Sequence, residues 1–278
     1  MVVEASLRGK AVLITGGSRG LGLAFARGVA ASGCNIVITG RDAESLGRAR
    51  AELEAIGAAT LAVPGDVTDP EMLPAAVDSA VAAFGSLDVM INNAGQGGPV
   101  GPTWEVDIDE WWNLVDVHLK GTLLGCRAAI PHMIRRGQGR IINIASRAGL
   151  KRWPLVTAYS VSKAAVMKLT ENLAAELQQH AIAVLSYHPG HVNVGMTKTF
   201  LEKAPGLDDW SVQVARWVRQ QAAEGHFTDI EQSTATFLRI ARGDADHLSG
   251  RYLTPDSTFA DVEHGRPAGT REEKMEKC

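Results

Sequence analysis

The chain is poor in cysteine, and the few it has are not arranged as a binding or cross-linking framework. Cys34, Cys126 and Cys278 are far apart, odd in number and in no CxxC pair, so neither disulfides nor a zinc site is indicated. No run approaches the roughly 18 apolar residues of a membrane span, and no long apolar stretch precedes the first predicted strand. We therefore predict no metal, no membrane partner and a cytoplasmic location.

An excess of charge of one sign is also missing. The formal net charge of the 278 residues is -3, which gives no basic field of the kind that nucleic-acid binding needs. The composition, 45% hydrophobic and 21% charged, is typical of a chain that buries a substantial core. The sequence predicts a globular protein with no nucleic-acid partner.

Short β-branched runs alternate with helical patterns from Ala11 to about Ile144, which is typical of βαβ units feeding a parallel sheet. The runs are continuously apolar, as in strands covered on both faces. We predict an α/β fold of Rossmann type, a doubly wound, seven-stranded parallel sheet with helices on both faces. Its predicted strands are Ala11 to Thr15, Asn35 to Thr39, Leu61 to Pro64, Leu87 to Asn92, Arg140 to Ile144, Ala183 to His188 and Arg251 to Thr254.

Between the strands, helical spacing predicts a helix from Glu44 to Ile56, and Thr68 with Glu71 forms a candidate capping box for a helix that runs to about Phe84. Residues 192–225 follow the sixth strand with mixed apolar and charged content, and we predict that they cover a site. We expect one domain over residues 1–261 and a polar, flexible tail over 262–278.

A glycine-rich turn, TGGSRGLG, occupies Thr15 to Gly22, directly after the first strand and before an apolar helical pattern. Glycines let the backbone approach a pyrophosphate, and a helix N-terminus offers free N–H groups and partial positive charge. A plain tight turn is the alternative, but the strand–turn–helix order favours a dinucleotide site. The predicted cofactor-binding residues of the turn are Gly16, Ser18, Arg19, Gly20, Leu21 and Gly22.

The end of the second strand predicts which dinucleotide binds. An enzyme that reads the ribose of NAD is expected to carry an acid there, roughly 20 residues after the turn. This strand instead leads into Arg41, which with Arg19 can form charge-assisted hydrogen bonds to the extra phosphate of NADP. We predict NADP rather than NAD. Two alternatives stay open: Asp42 could bind a 2'-hydroxyl, or both arginines could be solvated surface.

Three side chains suited to carbonyl reduction occur in order: Ser146, Tyr159 and Lys163. The phenol and the ammonium are four residues apart, hence on one face of a helix. A nearby ammonium favours phenolate, which would bring a group of pKa near 10 closer to neutral pH. Ser146 follows the fifth strand, at the carboxyl edge where doubly wound sheets bind ligands.

With these motifs the sequence resembles the short-chain dehydrogenase/reductase family from about Leu7 to Pro255. The turn is similar to its TGxxxGxG motif, residues 92–95 to its NNAG motif, and Tyr159 with Lys163 to its YxxxK pair. The resemblance implies Tyr159 as general acid–base, Ser146 polarising the substrate oxygen, and Lys163 holding the nicotinamide ribose while lowering the tyrosine pKa. It further implies cofactor contacts by Asp66, Val67, Asn93, Ala94, Gly95, Pro189, Gly190 and Val192.

Two positions depart from the family pattern. His118 stands where the family carries an asparagine that distorts its helix and holds a water of a proton relay. A histidine can donate, accept and pass protons, so the relay is either replaced or impaired. Val194 stands where a threonine commonly bonds the nicotinamide carboxamide; Thr197, Asn193 or the backbone could take its place.

The resemblance implies hydride transfer between the nicotinamide and a carbonyl or secondary alcohol, a small-molecule substrate. Substrate contacts are expected near Gln96, after Gly190, and in residues 147–154, whose cations and Trp153 are compatible with an anionic or aromatic substrate. Extra apolar positions in predicted helices around residues 111–133 and 158–177 indicate a homodimer or homotetramer. Two rival functions remain: an epimerase-type enzyme with no net redox change, and a non-catalytic NADP-binding sensor.

Overall fold

The computed structural model describes residues 6–203, 206 and 208–260. Seven parallel strands form one sheet in the order β3-β2-β1-β4-β5-β6-β7. This confirms the predicted doubly wound sheet, and every strand lies within two residues of its predicted bounds. The strands are β1 (Ala11–Thr15), β2 (Asn35–Gly40), β3 (Thr60–Pro64), β4 (Val89–Asn92), β5 (Gly139–Ile144), β6 (Ile182–Tyr187) and β7 (Tyr252–Leu253).

Helices fill the crossovers between the strands. They are α1 (Gly20–Ala31), α2 (Ala43–Ala55), α3 (Met72–Phe84), α4 (Ile108–Val115), α5 (Gly121–Arg136), α6 (Thr157–Glu176), α7 (Gly195–Lys203), α8 (Asp209–Ala223) and α9 (Ile230–Arg242). A π-helical turn, Asp116–Lys120, joins α4 to α5. Within the described residues, none of these helices combines the length and hydropathy that a bilayer crossing requires.

Both faces of the sheet are covered because alternate side chains of each strand point to opposite sides. In β1, Val12 and Ile14 pack under α1, α2 and α9, whereas Leu13 packs under α3 and α5. Phe25 and Phe237 stack face to face in the first layer, with ring centroids 3.9 Å apart. The carboxyl ends of β1, β4, β5 and β6 are thereby held together at one edge.

The two cysteines of the described residues lie in the core. Cys34 and Cys126 are buried and unpaired, and burial raises the pKa of each thiol to about 12. Cys278 and the predicted tail over 262–278 lie outside the described residues, so the tail and the domain limits stay predictions.

The predicted capping box at Thr68 and Glu71 is wrong. The Thr68 backbone and hydroxyl both donate to Asp66 Oδ1, at 2.9 and 2.8 Å, and Glu71 is itself the residue that precedes α3, with no side-chain cap bond. Thr68 hydrogen-bonds to Asp66, two residues upstream, and does not cap the helix. The helix predicted over Glu44 to Ile56 is confirmed as α2.

Apolar side chains are exposed along α4, α5 and α6, where the sequence predicts contact with another subunit. They are Ile108, Trp112, Leu123, Ile134 and Val161. The region predicted as one helix around residues 111–133 is divided into α4, the π turn and α5. The homodimer or homotetramer stays a prediction.

Candidate active site

The glycine-rich turn is shaped by contacts that only glycine permits. Gly16 and Gly20 have φ values of 65° and 56°, in the left-handed region. A Cβ on Gly22 would lie 2.2 Å from the carbonyl oxygen of Gly16. The first turn of α1 therefore folds back directly over the end of β1.

The start of α1 has no side-chain cap, as is also true of α3 and α6. Helices α2, α4, α8 and α9 each begin with an aspartate whose carboxylate accepts a backbone N–H of the first turn. Among the described residues, no side chain caps α1, which follows Arg19, and its first turn holds no acid. Its N–H groups and helix dipole are thus left for a ligand, and the phosphates of a dinucleotide have the charge and the oxygens to meet them.

The residues of the NNAG motif brace this turn. The Thr15 hydroxyl accepts from the backbone N–H groups of Asn93 and Ala94, at 3.0 and 2.9 Å. The Asn93 side chain donates to the Thr15 carbonyl at 2.8 Å. The structure thus brings Asn93, Ala94 and the neighbouring Gly95 to the glycine turn. The bracing hydroxyl of Thr15 was not singled out by the sequence.

At the end of β2, Asp42 and Arg41 have different surroundings. Asp42 caps α2, accepting from Ser45 N at 2.8 Å, and its hydrogen bonds with Ser45 lower its pKa. Arg41 is exposed, with Nη1 3.7 Å from Asp66 Oδ2. Val67 is buried beside Gly121. Arg41 and Arg19 are both exposed at this edge, as a phosphate-binding pair requires.

The predicted catalytic side chains come together at the end of β5. Ser146 follows the strand and lies near enough to the Tyr159 phenol to lower its pKa, and its Oγ accepts from Ala148 N at 3.2 Å. Lys163 Nζ donates to the carbonyl of Ile144 at 2.8 Å and lies 5.8 Å from the centroid of the Tyr159 ring. Hydroxyl, phenol and ammonium therefore share one buried corner.

The electrostatics of this corner differ in one respect from the prediction. Burial raises the pKa of Tyr159, and the hydrogen bond with Ser146 opposes that rise. The predicted lowering of the Tyr159 pKa by Lys163 is not found, because the ammonium lies beside the ring and bonds the Ile144 carbonyl. Burial in turn lowers the pKa of Lys163 to about 8.

His118 lies in the π-helical turn, and both of its ring nitrogens are hydrogen-bonded. Its Nε2 accepts from the backbone N–H of Gln96 at 3.1 Å, so the proton is on Nδ1, which donates to Ser162 Oγ at 2.9 Å. Ser162 passes the bond on to the Tyr159 carbonyl at 2.8 Å. Burial and the charge of Lys163 hold the pKa of His118 well below its usual value. The ring is neutral, and Ser162 was missed by the sequence.

Aromatic rings continue outward from the phenol. Trp153 lies edge-on to Tyr159, with centroids 6.2 Å apart, and contacts Trp217 of α8 at 5.2 Å. His191 lies 6.1 Å from both Trp217 and Phe227. We call these five residues, Tyr159, Trp153, His191, Trp217 and Phe227, the aromatic wall. The predicted covering segment, residues 192–225, thus supplies one ring of this wall, Trp217, which contacts Trp153 and His191.

The turn after β6 is closed by a residue that the sequence did not indicate. A Cβ on Gly190 would lie 1.9 Å from the hydroxyl oxygen of Thr228, whose backbone N–H donates to the His191 carbonyl at 2.8 Å. Pro189 and Val192 are buried here. Of the predicted substitutes for the family threonine, Asn193 is exposed and Thr197 is half-buried, as is Val194 itself.

Comparisons with known proteins identify the family and the fold. The family model described as short chain dehydrogenase matches residues 10–205. The 3beta-hydroxysteroid dehydrogenase 1 of Eggerthella lenta is 40% identical over 189 residues, 67% of this chain and 72% of that protein. The gluconate 5-dehydrogenase of Gluconobacter oxydans is 29% identical over 251 residues, 90% and 94% of the two chains.

A solved structure, that of NAD+-bound xylitol dehydrogenase, superimposes with a TM-score of 0.81 at 29% identity and covers 89% of this chain and 98% of that chain. The matched family region includes the glycine turn, the NNAG residues and the Ser146–Tyr159–Lys163 corner described above. The chain therefore belongs to the short-chain dehydrogenase/reductase family of oxidoreductases, whose members use a nicotinamide cofactor.

Proposed function

We propose that the protein is an NADP(H)-dependent oxidoreductase that interconverts a secondary alcohol and a carbonyl compound. The observation that carries the proposal is the meeting of Ser146, Tyr159 and Lys163 at the end of β5, with the ammonium 5.8 Å from the centroid of the phenol ring. The uncapped start of α1, on the same edge of the sheet, supports a dinucleotide within reach of this corner. When bound, the nicotinamide supplies the hydride for reduction or takes it up in oxidation.

The side chains divide the remaining work. Tyr159 gives a proton to the substrate oxygen during reduction and removes it during oxidation, because its phenol is the ionisable group at the open side of the corner. Ser146 donates a hydrogen bond to the same oxygen, which stabilises the charge that develops there. Lys163 lies beside the same ring with its ammonium on the Ile144 carbonyl, and from there it would hold the nicotinamide ribose.

The experiment that tests the function is a panel of carbonyl compounds and alcohols followed at the nicotinamide absorbance. Substrate-dependent absorbance change supports an oxidoreductase. Product formed without net absorbance change would favour an epimerase-type enzyme. NADP binding without any product would favour the non-catalytic sensor. The suggested anionic substrate stays a prediction: Arg147 and Arg152 are exposed beside the corner.

We predict that the KM for NADP is at least about tenfold below that for NAD, because one charge-assisted hydrogen bond is worth roughly 1.5–3 kcal/mol. Arg41→Ala should raise the KM for NADP by about that factor and leave the KM for NAD unchanged. Arg48→Ala is the matched control, since Arg48 is exposed on α2 and pairs with Glu44. A tenfold preference of the unmodified protein for NAD would overturn the assignment.

We assign His118 a positioning role, since its neutral ring clamps the Gln96 backbone to α6. His118→Phe should lower kcat by about tenfold, because it removes two hydrogen bonds, each worth roughly 1 kcal/mol, and lets the Tyr159 helix shift. The pH profile of kcat should keep its shape between pH 5 and 8. Ser162→Ala, which removes the Nδ1 partner, should reproduce the effect in part. Loss of an ionisation near pH 6.5 in His118→Phe would show instead that the ring passes protons.

A further inference from the structure

We propose that the alcohol or ketone is carried on an extended apolar ring skeleton, which lies against the aromatic wall and along α8 towards Trp210. This inference rests on the proposed function, because it names the substrate class of the same site. It distinguishes a rigid polycyclic compound from a polyol such as a sugar alcohol. The carrying observation is the unbroken series of rings that begins at Tyr159.

The aromatic wall is assembled from segments far apart in the chain. Trp153 comes from the loop after Ser146, His191 from the turn after β6, Trp217 from α8 and Phe227 from the α8–α9 connection. None of these rings is fully buried, and Trp217 is 39% exposed. A folded protein gains by burying indoles, so a group of them left open beside a reactive phenol indicates a surface for an apolar ligand.

The histidines next to this surface do not make it cationic. Burial lowers the pKa of His191, and the charges of Arg147 and His226 lower it further. His188, behind His191, is stacked on Tyr252, and burial lowers its pKa to about 3. Both rings are therefore neutral at physiological pH. His191, the more exposed of the two, offers a ring face to a ligand, whereas a polyol needs a hydrogen-bond partner for each hydroxyl that it buries.

Helix α8 extends the apolar surface away from Tyr159. Trp210 and Trp217 are seven residues apart, two turns along one face, so their Cα atoms are about 10 Å apart at 1.5 Å per residue. Trp210 lines a cavity of about 410 Å³ with Val100, Val106 and Phe200. Of the four acids in its lining, Asp107 and Asp208 are occupied as helix caps, Glu105 accepts from the Trp104 indole, and Glu110 is the fourth. A single small ring would not reach this cavity from Tyr159.

The test compares indole removal on the wall with indole removal elsewhere. Androsterone, cyclohexanol and xylitol serve as probes, with kcat/KM measured for oxidation and Kd measured by calorimetry on the NADP-loaded protein. We expect kcat/KM to fall in that order. Trp217→Ala should raise KM and Kd for androsterone at least about tenfold, and Trp210→Ala should do so for androsterone while leaving cyclohexanol unchanged. Trp104→Ala, which removes an indole that is 85% exposed and outside the wall, is the matched control.

Each result bears on one proposal. Turnover of xylitol in preference to androsterone, or full activity of Trp217→Ala with androsterone, would overturn the ring skeleton and leave the oxidoreductase standing. Absence of turnover with every alcohol and ketone would contradict the oxidoreductase, and calorimetry then still decides the ligand class. If androsterone binds the unmodified protein but not Trp217→Ala, the proposed ring skeleton is supported. If androsterone fails to bind the unmodified protein, the proposed ring skeleton is overturned.

Discussion

Tyr159→Phe is expected to lower kcat by on the order of 10³-fold, within the range that a positioned acid–base group contributes. The change removes one oxygen and keeps the ring, so the edge contacts of Tyr159 with Trp153 and His118 remain. Ser146 loses its partner, and no other phenol takes its place at the corner. Cofactor binding should stay near that of the unmodified protein, because the glycine turn and the start of α1 are untouched.

The measurement is kcat at saturating substrate, with Kd for NADPH from its fluorescence. Tyr252→Phe is the matched control: its ring is also buried, and its hydroxyl has no hydrogen-bond partner within the described part of the chain. That variant should keep full activity. Near-normal turnover in Tyr159→Phe would contradict the acid–base role, whereas loss of NADPH binding would assign the phenol to cofactor binding instead.

We expect the protein to lose stability as the pH falls below 6.5, before its carboxylates begin to take up protons. Burial holds the pKa of His188 at about 3, against 6.5 for an exposed histidine, and holds that of His118 well below its usual value. The unfolded chain therefore binds these protons first as the pH falls. Stability is complete above pH 6.5 and decreases between pH 6.5 and 3. By pH 5 the burial of His188 costs about 2 kcal/mol, and His118 changes stability in the same direction.

Urea unfolding followed by tryptophan fluorescence at pH 7 and pH 5 measures this loss. His188→Phe, which keeps a ring stacked on Tyr252, should reduce the difference by about 2 kcal/mol. His180→Gln, in the turn after α6, should leave it unchanged because that residue is not buried. Equal free energies of unfolding at the two pH values would contradict burial of neutral histidines.

Local sequence signals were sufficient where a structure depends on neighbours in the chain. The β-branched runs gave strand bounds within two residues, since strands buried on both faces require continuous apolar sequence. The spacing of Tyr159 and Lys163 placed them on one helix face, as found. The capping box failed for a local reason as well, because Asp66 competes for Thr68 at shorter range than Glu71.

Contacts between distant segments could not be predicted from the sequence. Ser162 meets His118, and Thr228 closes over Gly190, only because the sheet brings their elements together. The aromatic wall has the same origin: Trp153 and Trp217 were noticed separately, and nothing in their spacing indicates that the two indoles touch. The position of Lys163 relative to the phenol likewise depends on the Ile144 carbonyl, a backbone group without a sequence signature.

The two core cysteines make the chain convenient for site-directed labelling. Only a thiolate reacts readily with maleimides, and thiols with a pKa of about 12 are almost wholly protonated at pH 7. Once Cys278 is replaced, a cysteine introduced on the outer side of α8 would therefore carry the only readily modified thiol of the described fold. A dye attached there could follow how α8 approaches the site as ligands enter.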